Sequence, residues 1–126
     1  MKPTQIIIHC SDTPTGRDTP ASEIHQWHVS QDWSGIGYHW VIGIHGKLEA
    51  GRPEYWQGSH CKGQNGNSIG ICLVGRGEYS DIQKIKLGIL IGEIKSRHRI
   101  ESIKLHCDYD SRKTCPMATL EQLGLE

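Results

Sequence analysis

The stretch SIGICLVGRGEYSDIQKIKLGILIGEIKSRHRIESIKLHC, Ser68 to Cys107, decides how this chain folds. It opens with SIGICLVG (Ser68 to Gly75), apolar at successive positions, as in a strand buried on both faces at the centre of a sheet. SDIQKIKLGILIGEIKSRHR then reads as a helix capped by Ser80, with Ile82, Ile85, Ile89 and Ile94 near helical spacing. IKLHC (Ile103 to Cys107) is a second strand. A helical crossover between two strands suits a parallel pair, and it predicts that the two lie side by side.

The pattern extends upstream. QIIIHC (Gln5 to Cys10) is a β-branched strand that ends in the turn cluster SDTPTG. A helix follows, with Thr19 as N-cap and Pro20 in its first turn, running to about Gln31. Its expected inward face is Ile24, Trp27 and His28. YHWVIGI (Tyr38 to Ile44) is another strand, reversed by HGKL into LEAGR. The tail after Pro116 closes with a helical turn or two. Strands and helices interleave, so the expected class is α/β, one domain over residues 1–126 with a mixed central sheet flanked by helices.

Composition narrows the function. Lys plus Arg equals Asp plus Glu at 14 each, so no net field selects nucleic acid or an anionic membrane. The N-terminal apolar core is only Ile6 to Ile8, too short for a secretory signal, and no run approaches membrane-spanning length. The expectation is a monomer, cytoplasmic at synthesis, with no nucleic-acid partner and no membrane insertion. Five cysteines, an odd number without a CxxC pair, suit reduced thiols or metal ligation better than a disulfide framework. Eight histidines in 126 residues make metal chemistry worth testing.

LHCDYDSRKTCPM, Leu105 to Met117, holds an imidazole at His106 and a thiol at Cys115. His9 and His106 each end a strand, and in open α/β sheets sites gather beyond the carboxyl ends of strands. A catalytic zinc typically takes three imidazole, thiolate or carboxylate ligands and leaves a fourth position open. His9, His106 and Cys115 meet that count. Lys113 would sit beside such a centre, favouring the thiolate and supporting a negative oxygen. Arg112 is either a second cation there or a surface ion pair. Many other triplets can be drawn from this many histidines and cysteines, and a lone histidine after a strand is more often structural. His25 and His28, three apart, suit a solvated or half-buried helix face better than a metal. Cys10, Cys72 and Cys107 read as small buried thiols. Trp27, Trp33, Trp40 and Trp56 could line a groove, though core filling is the simpler use. The long polar loop Gly51 to Asn67 is either a binding loop or a surface excursion. There is no HExxH, Walker loop or dinucleotide fingerprint.

Five stretches together resemble one family, in its order: IIIHCSDT, EIHQWHVSQDWSGIGYHWVI, LEAGRPEYWQGSHCKGQNGNSIGICLVG, the long helix, and LHCDYDSRKTCP. This is the type 2 N-acetylmuramoyl-L-alanine amidases, which share their fold with peptidoglycan recognition proteins. The chain is most similar to the small phage lysozyme-type amidases, from about residue 5 to 117. The resemblance implies zinc held by His9, His106 and Cys115, with Tyr38 and Lys113 catalytic and His60 and Asn67 near the substrate cleft. The bond cut would join the lactyl group of N-acetylmuramic acid to the L-alanine of the stem peptide, as in an endolysin. Asp108 or a backbone carbonyl could take the second N–H of a ligand imidazole.

The extended N-terminal segment of the best-known phage relative has no counterpart here, so its polymerase-regulating role is not carried over. Without a signal peptide or wall-binding module, such an enzyme is expected to reach periplasmic peptidoglycan through a separate permeabilising protein, as an endolysin; a cytosolic wall-recycling amidase is the alternative. Three rivals remain. One is a regulator that binds another protein through its surface, and a second is a non-catalytic peptidoglycan-binding module. The third is a structural zinc site completed by Cys107 or Cys10, although neighbours on a strand point to opposite faces and make poor joint ligands.

Overall fold

In the computed structural model, residues 1–125 are described. The strands are β1 (Gln5–Cys10), β2 (Trp40–Ile42), β3 (Leu48–Ala50), β4 (Ser68–Leu73) and β5 (Ser102–Leu105). The helices are α1 (Ala21–Ser30), α2 (Asp81–Arg97) and the single turn α3 (His106–Tyr109). All five strands form one sheet in the order β3-β2-β4-β1-β5, antiparallel only between β2 and β3. This is the mixed, helix-flanked sheet expected. The crossover from β4 through α2 does return parallel, but β4 and β5 are not neighbours: β1 lies between them. The crossover rule fixes direction and does not forbid a third strand from pairing in the gap.

β1 is central, and its alternation sets up everything else. Ile6, Ile8 and Cys10 join the core beneath α2, with Ile69, Ile71 and Leu73 of β4 and Leu87, Leu90, Ile91 and Ile94 of the helix. Gln5, Ile7 and His9 face the other way, with Ser68, Gly70 and Cys72 alongside in register. On that side Ala21 and Ile24 of α1 pack with Val41, Cys72 and Val74. Ile6, Ile7 and Ile8 are all fully buried, and each such side chain contributes about 1.5–3 kcal/mol of transfer free energy.

Several local expectations need correction. On α2 the buried apolar positions are Leu87, Leu90, Ile91 and Ile94, a true i, i+3, i+4, i+7 stripe, whereas Ile82, Ile85 and Ile89 are exposed. Of the four isoleucines near helical spacing, Ile94 alone faces the core. Ser80 does cap α2: its Oγ accepts from Gln83 N at 3.2 Å, and Gln83 Oε1 accepts from Ser80 N at 3.0 Å. Buried Gln83 also donates to the carbonyls of Ile42 and Val74, tying the helix start to the ends of β2 and β4. At α1 the N-cap position is Pro20, not Thr19, and the Ala21 N–H is accepted by Glu49 of β3. Trp27 is exposed. The Tyr38–Ile44 strand shortens to β2, and the turn after it closes with a Gly43 N–H to the Lys47 carbonyl. β5 stops at Leu105, so His106 and Cys107 begin α3 and do not end a strand. Beyond Pro116 the chain closes in one turn, with Leu123 N donating to the Thr119 carbonyl.

Candidate metal centre

Ile8 pairs with Leu105, so the residues that follow, His9 and His106, emerge side by side at one edge of the sheet. Their Nδ1 atoms stand 3.1 Å apart. Cys115 arrives on the loop after α3, held by a Cys107 N–H to its carbonyl and by the Tyr79 hydroxyl on the Pro116 carbonyl at 2.6 Å. The Cys115 Sγ accepts the Cys10 N–H at 2.8 Å. One donor atom from each of His9, His106 and Cys115 lies within 4.8 Å of the others, a group that could hold a metal ion. Cys10 and Cys107 do not join it, which disfavours the four-ligand structural site.

His106 and Cys115 line a cleft of about 330 Å³ together with Tyr38, Arg112 and Lys113, and His9 lies buried against His106 at its edge. A larger, more apolar cavity of about 480 Å³ lies elsewhere, between α1 and β3, against His25, Arg52 and Trp56. It contains no member of the ligand group. Size alone would favour the larger cavity, whereas the group that could hold a metal ion adjoins the smaller cleft.

Electrostatics follow from burial. Desolvation, then the neighbouring His60 and His106, push His9 well below the usual imidazole range, so it is neutral. His106 is lowered by burial and by the Lys113 ammonium. The Tyr38 ring centroid is 5.1 Å from that of His9. Burial and the surrounding thiols push its hydroxyl upward, so it stays a neutral donor. At Cys115 the adjoining Cys10 thiol and burial push the thiol up, while the Cys10 N–H on its sulfur pulls it down. The same thiol–thiol contact lowers Cys10 to about 7, so the two sulfurs titrate as a pair.

The remaining candidates sort clearly. Arg112 pairs with Asp110 at 3.1 Å on the surface. Asp108 Oδ2 accepts the Leu105 N–H at 2.8 Å and is not the imidazole partner. His25 and His28 accept the N–H groups of Ile36 and Gly37, so they fasten a loop to α1. Asn67 lies at the far end of β1, where its Oδ1 accepts from Gln5. His60 is buried, its Nδ1 2.8 Å from His9 Nε2, behind the cleft and not lining it. Burial and His39 hold the His60 pKa at about 3.

Residues 1–118 match the N-acetylmuramoyl-L-alanine amidase family. The chain belongs to it. An endolysin of Klebsiella phage KP32 is 36% identical over 127 residues, covering 94% of this chain and 83% of that one. An endolysin of Escherichia phage T7 is 51% identical over 70 residues, 56% of this chain and 46% of that one. Among solved structures, an endolysin amidase from Clostridium intestinale superposes with a TM-score of 0.88 at 30% identity, covering 97% of this chain and 81% of that one. A point mutant of the Drosophila peptidoglycan recognition protein PGRP-LB, in complex with tracheal cytotoxin, shares the fold at a TM-score of 0.82 and 22% identity, covering 91% of this chain and 75% of that one. This family member is therefore an amidase of the endolysin type. Among its described residues, no helix is long and apolar enough to cross a membrane.

Proposed function

We propose that this amidase is a zinc enzyme that cuts the amide between the lactyl group of N-acetylmuramic acid and the L-alanine of peptidoglycan stem peptides, lysing a host cell. The observation that carries this is the convergence of His9, His106 and Cys115 on one point at the cleft that Tyr38 and Lys113 line. Two imidazoles and a thiolate suit zinc, and three protein ligands leave a position open for chemistry. When bound, zinc supplies Lewis acidity, polarising the scissile carbonyl and lowering the pKa of a water toward ~7.

The chain's own groups do the rest. The Tyr38 hydroxyl, neutral and half-buried, donates a hydrogen bond to the reacting oxygens. The Lys113 ammonium offsets the charge that gathers on the carbonyl oxygen as the tetrahedral centre forms. Cys115 gives up its proton when it ligates, so metal affinity falls as pH falls. The enzyme would act on wall peptidoglycan as a monomer, after a separate protein has opened the membrane.

Purified, zinc-loaded protein should be incubated with Gram-negative-type peptidoglycan and the soluble products weighed by mass spectrometry. Free stem peptides beginning at L-alanine, absent after chelation, are expected. Intact muropeptides that bind without cleavage would replace the enzyme with a recognition module.

A further inference from the structure

The stretch GSHCKGQNGNSIG, Gly58 to Gly70, builds something behind the ligand group. The His60 ring lies flat against β4, where Gly70 leaves it room: a Cβ there would come within 2.6 Å of His60 Cγ. Gly58 clears the other side, where a Cβ would sit 2.7 Å from His60 Cδ2. The backbone is held too, since Asn65 Oδ1 accepts the N–H groups of His60 and Cys61, each at 2.9 Å. The seated ring touches His9 with one nitrogen and Ser68 with the other.

The polarity of this chain of hydrogen bonds follows from its last member. The Gln64 carbonyl can only accept, and Ser68 Oγ lies 2.6 Å from it, so the single hydroxyl proton goes there. Ser68 Oγ then has only lone pairs for His60 Nε2 at 3.2 Å, and His60 must donate from that nitrogen. A neutral His60 therefore presents a lone pair at Nδ1. His9 Nε2, 2.8 Å away, must supply the proton. A neutral His9 with its proton on Nε2 has a bare Nδ1, the atom that faces His106.

Resting on the metal-site reading above, we infer that His60 is a positioning residue. It holds His9, through a one-way hydrogen-bond chain ending on the Gln64 carbonyl, in the tautomer whose Nδ1 is free to ligate. A ligand histidine usually gives its second N–H to a carboxylate, a carbonyl or water. Here that partner is a second imidazole whose own direction is set two bonds further back. His60 thus acts on the ligand and not on substrate.

The test is a nitrogen-15 histidine spectrum of the full-length, metal-free protein at neutral pH, which reports which ring nitrogen of His9 bears hydrogen. Zinc affinity by chelator competition is measured alongside. The wild-type protein should show His9 protonated at Nε2. His60→Leu should mix the tautomers and weaken zinc binding about 10–100-fold, the usual cost of losing a ligand's hydrogen-bond partner. His60→Asn, whose Oδ1 can take the place of Nδ1 as acceptor, should restore the tautomer and most of the affinity. Ser68→Ala leaves the His60 ring in place but frees its direction, and should shift His9 partly to the other tautomer. Should His60→Leu fail to fold, Ser68→Ala decides alone. A His9 proton on Nδ1 in the wild type, or an unchanged tautomer and zinc affinity in the variants, overturns the inference. A zinc-loaded protein with the Nε2 tautomer and no hydrolysis would instead remove the amidase reading and leave this one standing.

Discussion

Gln5 and His9 lie on the same face of β1, four residues apart, and are 4% and 1% exposed. At the Gln5 end every polar group is answered from within the chain. Gln5 donates to Gln64 and Asn67, and its own oxygen takes the Tyr109 hydroxyl at 2.6 Å. At the His9 end one ring nitrogen is answered by His60, and the other faces His106, which lines a cleft. The two ends look alike in sequence: a polar residue closing an isoleucine run, with histidine, asparagine and glutamine close by in the fold. What separates them is closure. A satisfied polar network specifies structure, while a set of donor atoms aimed together at solvent-reachable space is available for chemistry.

The sharpest way to break that comparison is at the open end. Cys115→Ser replaces a soft ligand by a poor one. It should weaken zinc binding by more than about 10²-fold and take hydrolysis below detection. Elemental analysis and a peptidoglycan turbidity assay read both, and a variant with full activity would remove Cys115 from the ligand set. Lys113→Ala comes next. Its side chain is exposed, so zinc content and melting temperature should hold while kcat drops about 10²–10³-fold, the cost of losing one oxyanion partner. An unchanged kcat would take the lysine out of the mechanism.

The closed end should answer in the opposite currency. Asn67→Ala deletes an acceptor for Gln5 and should lower stability by about 0.5–1.5 kcal/mol in denaturant melts, with kcat unaltered. A folded variant with a large rise in KM would put Asn67 on the substrate after all, the role the family resemblance implied. It would also mean that the closed end of β1 is not closed in the working enzyme.

Most of the fold was legible because strand and helix periods leave a mark in a chain this regular. QIIIHC, SIGICLVG and the long helix all lie where their patterns put them, within a residue or two at the ends. The position of β1 between β4 and β5 was not legible, since sheet order depends on long-range pairing that no local pattern records. The ligand group could be proposed because His9 and His106 each close an apolar run and the family resemblance implied the same three residues, where spacing alone left many triplets open. His60 was harder. The resemblance brought attention to it but gave it to the cleft, and only the slot made by Gly58 and Gly70 reveals which ring it touches. Asn67 carried the same kind of signal and lies at the end of the strand opposite His9. Residue type can nominate a site residue; which way it faces is decided by the sheet.

A comparably small effect lies away from both ends, at Glu54, and it serves as their control. Glu54 takes Arg97 at 2.6 Å, His98 at 2.9 Å and the Trp40 indole N–H at 2.7 Å, so it clamps the end of α2 to the β2 edge. Burial alone would raise its pKa, but these donors outweigh burial and hold it at about 2. A folded pKa below the unfolded value of ~4.3 means the clamp contributes its full stability above about pH 5. That stability is lost as the pH falls toward 2, because the unfolded chain then takes up the proton more readily than the native one. The pair is partly exposed to water, so the contribution after screening is about 1 kcal/mol. Glu54→Gln should therefore flatten part of the acid limb of a stability-versus-pH curve while leaving zinc affinity at neutral pH as it was. Glu54 adjoins Pro53, part of the wall of the larger cavity beside Trp56. If the variant instead lowered kcat by more than its stability loss explains, that cavity and the metal centre would be coupled, and the division between structural and chemical regions would have to be redrawn to include it.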